Sequence, residues 1–126
     1  MSDVEVLIQR QLDAYNARDL ESWAGTYAEY ARQYQYPDTL LAEGREAIKA
    51  RGRERFAEAD LHAALRHRIV NGEVVIDHET VTRTVAGRRM QADLVCVYQV
   101  ANGAIVRADF ISGPLCEVDS KARETA

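Results

Sequence analysis

The chain has 126 residues, 47% of them hydrophobic and 29% charged, with a formal net charge of -4. That is enough for one domain with its own core, and the acidic balance argues against a nucleic-acid surface. No apolar run approaches the roughly 18 residues of a membrane span, and Met1-Ser2-Asp3 opens no signal peptide; a cytoplasmic protein with Cys96 and Cys116 as free thiols is expected.

Ser2 and Glu5 form a capping-box pattern, in which the serine caps a backbone N–H and the glutamate reaches back. Val4, Leu7, Ile8, Leu12 and Tyr15 then recur at three and four residues, which predicts an amphipathic helix to about Ala17. Asp19 stands as the N-cap of a short second helix carrying Trp23 and Tyr27. A strand is expected over Arg32 to Tyr36, ended by Pro37, which cannot donate to a ladder. Leu40 to Gly44 reads as a loop. Arg45 to about Glu58 reads as a third helix, weakened by Gly52 by roughly 1 kcal/mol relative to alanine. Its cations, Arg45, Lys49, Arg51, Arg53 and Arg55, interleave with Glu46 and Glu54 as on a solvated face.

Leu61 to Val70 suits a strand, and Asn71 to Ser112 reads as long antiparallel strands broken at Asn71-Gly72, Ala86-Gly87 and Asn102-Gly103. Asn-Gly between apolar runs is a strong hairpin signal because both residues tolerate positive φ. Met90, Ala92, Leu94, Cys96, Tyr98 and Val100 form an apolar face that alternates with a mixed one. Helices followed by an antiparallel run give an α+β order, with the helices on one face of a curved sheet. One domain over 1–114 is expected, followed by a polar, frayed tail over 115–126.

Tyr15-Asn16-Ala17-Arg18-Asp19-Leu20, Tyr27-Ala28, Gly44-Arg45-Glu46-Ala47-Ile48 and Asn102-Gly103-Ala104-Ile105 occur in that order. With this order of elements the chain resembles the nuclear transport factor 2-like, or SnoaL-like, superfamily over about residues 4 to 113. The resemblance implies a cone-shaped α+β barrel, a curved antiparallel sheet wrapped around N-terminal helices and enclosing a cavity. It also implies a homodimer formed through the sheet, and members that range from isomerases, epoxide hydrolases and cyclases to non-catalytic subunits. Fold alone therefore does not choose the reaction.

Matched to the isomerase members, the oxyanion tyrosine falls on Gln11, the oxyanion acid on Cys96, and the base on Gln35 or Tyr36. Gln35 cannot shuttle a proton, and a tyrosine base needs a pKa far below about 10. Matched to the epoxide hydrolases, Tyr34 fits the tyrosine and Asp109 one aspartate, but the arginine falls on His78 and the other aspartate on Thr80. Matched to the cyclases, Asp109 is the acid. Its strand places it opposite Val106, Ala108 and Phe110, away from the core unless a bulge re-aims it.

The catalytic candidates are Asp109, Tyr36 and Glu79, and the ligand-binding candidates are Tyr15, Trp23, Tyr27, Tyr34, Leu94, Cys96, Tyr98 and Phe110. Aromatics with a polar tip suit a pocket for a flat ligand, or simply fill a core. His78 reads as a surface or interface residue. His62 and His67 match no metal-ligand spacing, so neither a metal nor a cofactor is expected. Two functions follow: an acid–base enzyme acting on a small hydrophobic molecule of steroid, terpenoid or polyketide type, or a non-catalytic binding or dimerisation module. A carboxyl buried in the pocket would separate them. Neither nucleic acid nor membrane is an expected partner.

Overall fold

A computed structural model describes residues 1–118. Three helices cover one face of a strongly curved sheet. Helix α1 spans Asp3–Ala17, and Ser2 accepts from the Glu5 N–H at 3.2 Å, as a capping serine does. Helix α2 is Leu20–Ala24, capped by Asp19, which accepts from the Ser22 N–H. It is shorter than expected: Tyr27 is the first residue of strand β1, Tyr27–Gln35, not the last turn of the helix.

The expected loop after Pro37 is instead strand β2, Thr39–Glu43, antiparallel to β1. Helix α3 is Arg45–Phe56 and packs on α2 and β1. The remaining strands are β3 His62–Asn71, β4 Val74–Val85, β5 Arg88–Ala101, β6 Ala104–Ser112 and β7 Cys116–Glu117. Part of the expected polar tail thus pairs with β5. Residues 119–126 of that tail lie outside the described residues.

The sheet runs β2-β1-β6-β5-β4-β3, antiparallel except for the parallel β1–β6 pair. Its two ends do not pair with each other, so the wrap is a curved, unclosed sheet rather than a closed barrel. At Ala86-Gly87 and Asn102-Gly103 both residues have positive φ, which matches the turn twist to the strands. At the first hairpin only Gly72 does, because β3 extends through Asn71 and the turn is Gly72-Glu73.

Alternation along β4 and β5 divides the sheet into an inner and an outer face. Val75, Cys96, Tyr98 and Val100 are buried inward with Ile8, Tyr27, Ile48 and Ile105. Asn16 ties α1 to the sheet edge: its side-chain amide donates to Ala63 O at 2.9 Å and accepts from Ala63 N at 2.8 Å. That exchange of two bonds copies a strand pairing, and it explains an asparagine in the last turn of α1.

Gly52 has a different reason to be present than helix propensity suggests. A Cβ built there would lie 2.4 Å from Trp23 Cζ3 and 3.0 Å from Cη2. The glycine lets α3 close onto the Trp23 ring, which stands edge-on to Tyr27 at 5.3 Å and to Phe56 at 5.4 Å between centroids. Propensity alone predicts that Gly52→Ala stabilises by roughly 1 kcal/mol. Overpacking against a rigid indole reverses the sign, and a loss of about 1–3 kcal/mol in denaturant unfolding is expected. A gain would mean that α3 can shift away from Trp23 freely.

Candidate functional site

Between the inner sheet face and the three helices lies a cavity of about 230 Å³. Helix α1 contributes Gln11, Leu12 and Tyr15, and α2 contributes Trp23. Helix α3 contributes Arg51, Gly52 and Arg55. From the sheet come Glu79 on β4, Leu94, Cys96 and Tyr98 on β5, and Phe110 on β6. Tyr27, Gln33 and Gln35 of β1 complete the wall beside Leu41 of β2. Aromatic and aliphatic side chains thus share the wall with glutamines, two arginines and a glutamate, a more polar lining than most ligand pockets have.

Glu79 is the single carboxyl among these lining residues, and it is 4% exposed. Asp77, two residues earlier, shares its face of β4 and is fully buried. Arg68, opposite on β3, meets both Asp77 oxygens, at 2.7 and 2.9 Å, and also donates to Gln9 of α1 at 2.8 Å. Asp77 is thereby paired and made part of the scaffold. Glu79 receives no such fork: its side-chain contact is the Cys96 thiol, with Sγ 3.9 Å from Oε1. Burial, and then the Asp77 charge, push the Glu79 carboxyl up from 4.5 to about 7.

The neighbouring groups favour their neutral forms. Burial pushes Tyr15 up to about 12, and it raises Tyr27, Tyr98 and Cys96 well above their ordinary values. Cys96 is therefore a thiol at neutral pH and a poor nucleophile. Across the cavity Arg51 donates to Gln33 Oε1, and Gln33 Nε2 donates to the Tyr27 hydroxyl at 3.1 Å. Burial, and then the charge of Arg55, lower the Arg51 guanidinium.

Of the eleven candidates read from the sequence, eight line this cavity: Glu79, Tyr15, Trp23, Tyr27, Leu94, Cys96, Tyr98 and Phe110. Three do not, and the reason is strand alternation. Asp109 pairs in register with Val97 on the outer face, where both its oxygens accept from Arg107, at 2.8 and 3.0 Å. A register shift does occur in the β5–β6 pair, at Gln99/Val100, but it leaves Asp109 facing out. Tyr34 is in register with Asp109, and Arg107 lies 3.9 Å over its ring. Tyr36 lies beyond the end of β1 and is 60% exposed. Asp109, Tyr34 and Tyr36 are accordingly corrected from cavity groups to outer-face or rim groups. His78 and Thr80 point outward as well, opposite Val95 and Asp93.

Sequence reasoning missed Gln33, Arg51 and Arg55, and took Gln11 only as a departure from the isomerase pattern. The two arginines were assigned to a solvated face, yet their spacing of four residues already placed them on one side of α3. Which side faces the cavity depends on Gly52 seating against Trp23.

A model of the SnoaL-like domain matches residues 8–108, most of the chain. The protein belongs to the SnoaL-like family. Among solved structures, an uncharacterised cystatin-fold protein from Novosphingobium aromaticivorans is 26% identical, with a TM-score of 0.79 over 88% of this chain and 98% of that one. An LEH-like epoxide hydrolase of M. tuberculosis superposes with a TM-score of 0.78 at 13% identity, covering 88% of this chain and 83% of its own. A putative polyketide cyclase from Sinorhizobium meliloti gives 0.71 at 17% identity, covering 87% and 99%. The last two likenesses concern the fold. No curated protein matches the chain in sequence.

The raised carboxyl has a measurable consequence for stability. In the unfolded chain Glu79 loses its proton near pH 4.5, whereas in the folded protein it keeps it to about 7. Folded protein therefore binds more protons between these values, and stability falls as pH rises through that window. The loss attributable to Glu79 is on the order of 3 kcal/mol. A Glu79→Gln variant lacks this term, so its stability relative to wild type should rise from pH 4.5 to 7 and then level. A constant difference in denaturant unfolding across that range would show that Glu79 titrates normally.

Proposed function

We propose that this SnoaL-like protein is a cofactor-independent acid–base enzyme acting on a small, largely hydrophobic molecule, with Glu79 as the proton carrier. The observation that supports this most is the placement of Glu79: buried, facing an aromatic-walled cavity, and held at about 7. A general base is most effective when its pKa lies near the working pH, and burial beside another acid is a physical route to that value. Tyr15 and Tyr98, with raised pKa values, remain protonated donors for a substrate oxygen.

The reaction class that fits one carboxyl is proton abstraction or transfer at carbon beside a carbonyl. The two-aspartate, one-arginine water activation that the sequence was matched to is disfavoured, because the matched positions Asp109, His78 and Thr80 face the other side of the sheet. A pure binding role is the second proposal. It is favoured by Gln11 and Trp23, wall residues whose Oε1 and Nε1 have no hydrogen-bond partner among the described residues and would be satisfied by a ligand that stays bound.

We place a homodimer on the outer sheet face, where Ile76, Val95, Val97 and Ile111 adjoin in register and are only partly buried. Sedimentation at micromolar concentration is expected to give twice 14.2 kDa, and Val97→Lys to give the single-chain mass. A wild-type monomer would remove the dimer.

Catalysis is tested by following solvent deuterium exchange beside the carbonyl of cyclic and polyketide-like ketones by proton NMR. The exchange rate should rise with pH through about 7, as the base form appears. In Glu79→Gln it should drop by about a hundredfold or more. Exchange that survives in Glu79→Gln would eliminate Glu79 as the base, and no exchange by the wild-type protein would leave the binding role.

A further inference from the structure

We infer that the ligand of this cavity is a small cyclic carboxylic acid whose carboxylate is gripped by Arg51 and Arg55. The inference rests on the cavity being the functional site and deepens it by naming the ligand class.

Charge distribution carries the first part. Arg51 and Arg55 lie one turn apart on α3, and both line the cavity. Two like charges at that spacing destabilise a helix unless something negative lies between them. No described residue answers that need fully. Among the described residues Arg51 has no carboxylate within salt-bridge distance; its side chain donates to the neutral amide of Gln33. Glu54 on the same helix is exposed and does not line the cavity. Arg55 reaches Glu58 at 3.5 Å, but both oxygens of Glu58 already accept from Arg83, at 3.1 and 2.8 Å. The one carboxyl in the wall, Glu79, is buried where the neutral form is favoured. The cavity is therefore cationic on its α3 side, and a planar carboxylate matches the guanidinium fork better than any neutral group.

Unanswered polar atoms carry the second part. Gln11 is 4% exposed, and its Oε1 is buried without a hydrogen-bond partner; the same is true of Trp23 Nε1. Both residues line the cavity. Buried polar groups are nearly always paired in native proteins, so these two wall residues each carry a polar group that a ligand hydroxyl or amide would satisfy once the side chain turns toward it. Three polar requirements in one small space fix an orientation as well as an affinity.

Size carries the third part. About 230 Å³ lies below the roughly 300–1,000 Å³ of pockets that enclose drug-sized ligands. A one- or two-ring body between Tyr15, Trp23, Leu94 and Phe110 suits that volume, and four fused rings do not.

The test uses matched pairs in calorimetric titrations: benzoate, hydroxybenzoates and naphthoates against their neutral carboxamides. Wild-type protein is expected to bind at least one acid about tenfold or more tightly than its amide. Arg51→Gln and the Arg51→Gln/Arg55→Gln pair should lose that preference while keeping the amide affinity, which also reports an intact cavity. Gln11→Leu should weaken hydroxybenzoates more than benzoate. The proposal is overturned by equal affinity for acid and amide, by a preference that persists in the double variant, or by no acid binding up to about 1 mM. Glu79→Gln separates this from the catalytic proposal: it should keep carboxylate binding, so proton transfer can fail with the ligand class intact, and the reverse.

Discussion

Strand β4 places two carboxyls, Asp77 and Glu79, on the same buried face, and the protein supplies one guanidinium for them. Arg68 engages both oxygens of Asp77 and is held in turn by Gln9 of α1. Through Gln9, this buried pair joins the first helix to the β3 edge of the sheet. Removing one partner of such a pair leaves an uncompensated buried charge, a cost of about 3–5 kcal/mol. The pair matters equally for what it leaves out. Glu79 sits in the same low-dielectric layer with a thiol as its neighbour, and the fixed negative charge of Asp77 further discourages its ionisation. One structural ion pair thus creates both a rigid wall and a tuned acid.

The opposite wall is governed by an aromatic wedge. Trp23 stands against Tyr27 and Phe56, and Phe56 stands edge-on to Tyr15 at 5.3 Å. A larger residue at Gly52 would push α3 outward, and with it Arg51 and Arg55. The same packing that closes the core therefore brings cations to the cavity. Acid on the sheet side and cations on the helix side give the cavity a polarity from sheet to helices, which a featureless apolar pocket would lack.

Most of the chain's architecture was legible in the sequence because its signals are local. Ser2 and Asp19 cap helices through their own side chains, and Asn102-Gly103 and Ala86-Gly87 supply positive φ where hairpins need it. The apolar alternation from Leu94 to Val100 correctly marked the inner face. Misplaced elements sit where tertiary pairing overrides local pattern. Thr39–Glu43 lacks a strong strand signature but pairs with β1, and Tyr27 leaves its helix for a parallel pairing with β6.

The candidate site divides the same way. Period-two and period-3.6 patterns by themselves indicated that Cys96, Tyr98 and Phe110 face inward together, but left Asp109 open to a bulge, and the β5–β6 register decided that it faces out. They also determined that Arg51 and Arg55 share one side of a helix. Only the tertiary structure decided which side of α3 meets the cavity, because that depends on a glycine-to-indole contact across 29 residues of sequence. Only it decided that Arg68 pairs with Asp77 and not with Glu79. Both acids lie within the same strand and look equivalent to any local rule; the register of β3 against β4, which puts Arg68 directly opposite Asp77, pairs one and leaves the other facing the cavity without a guanidinium.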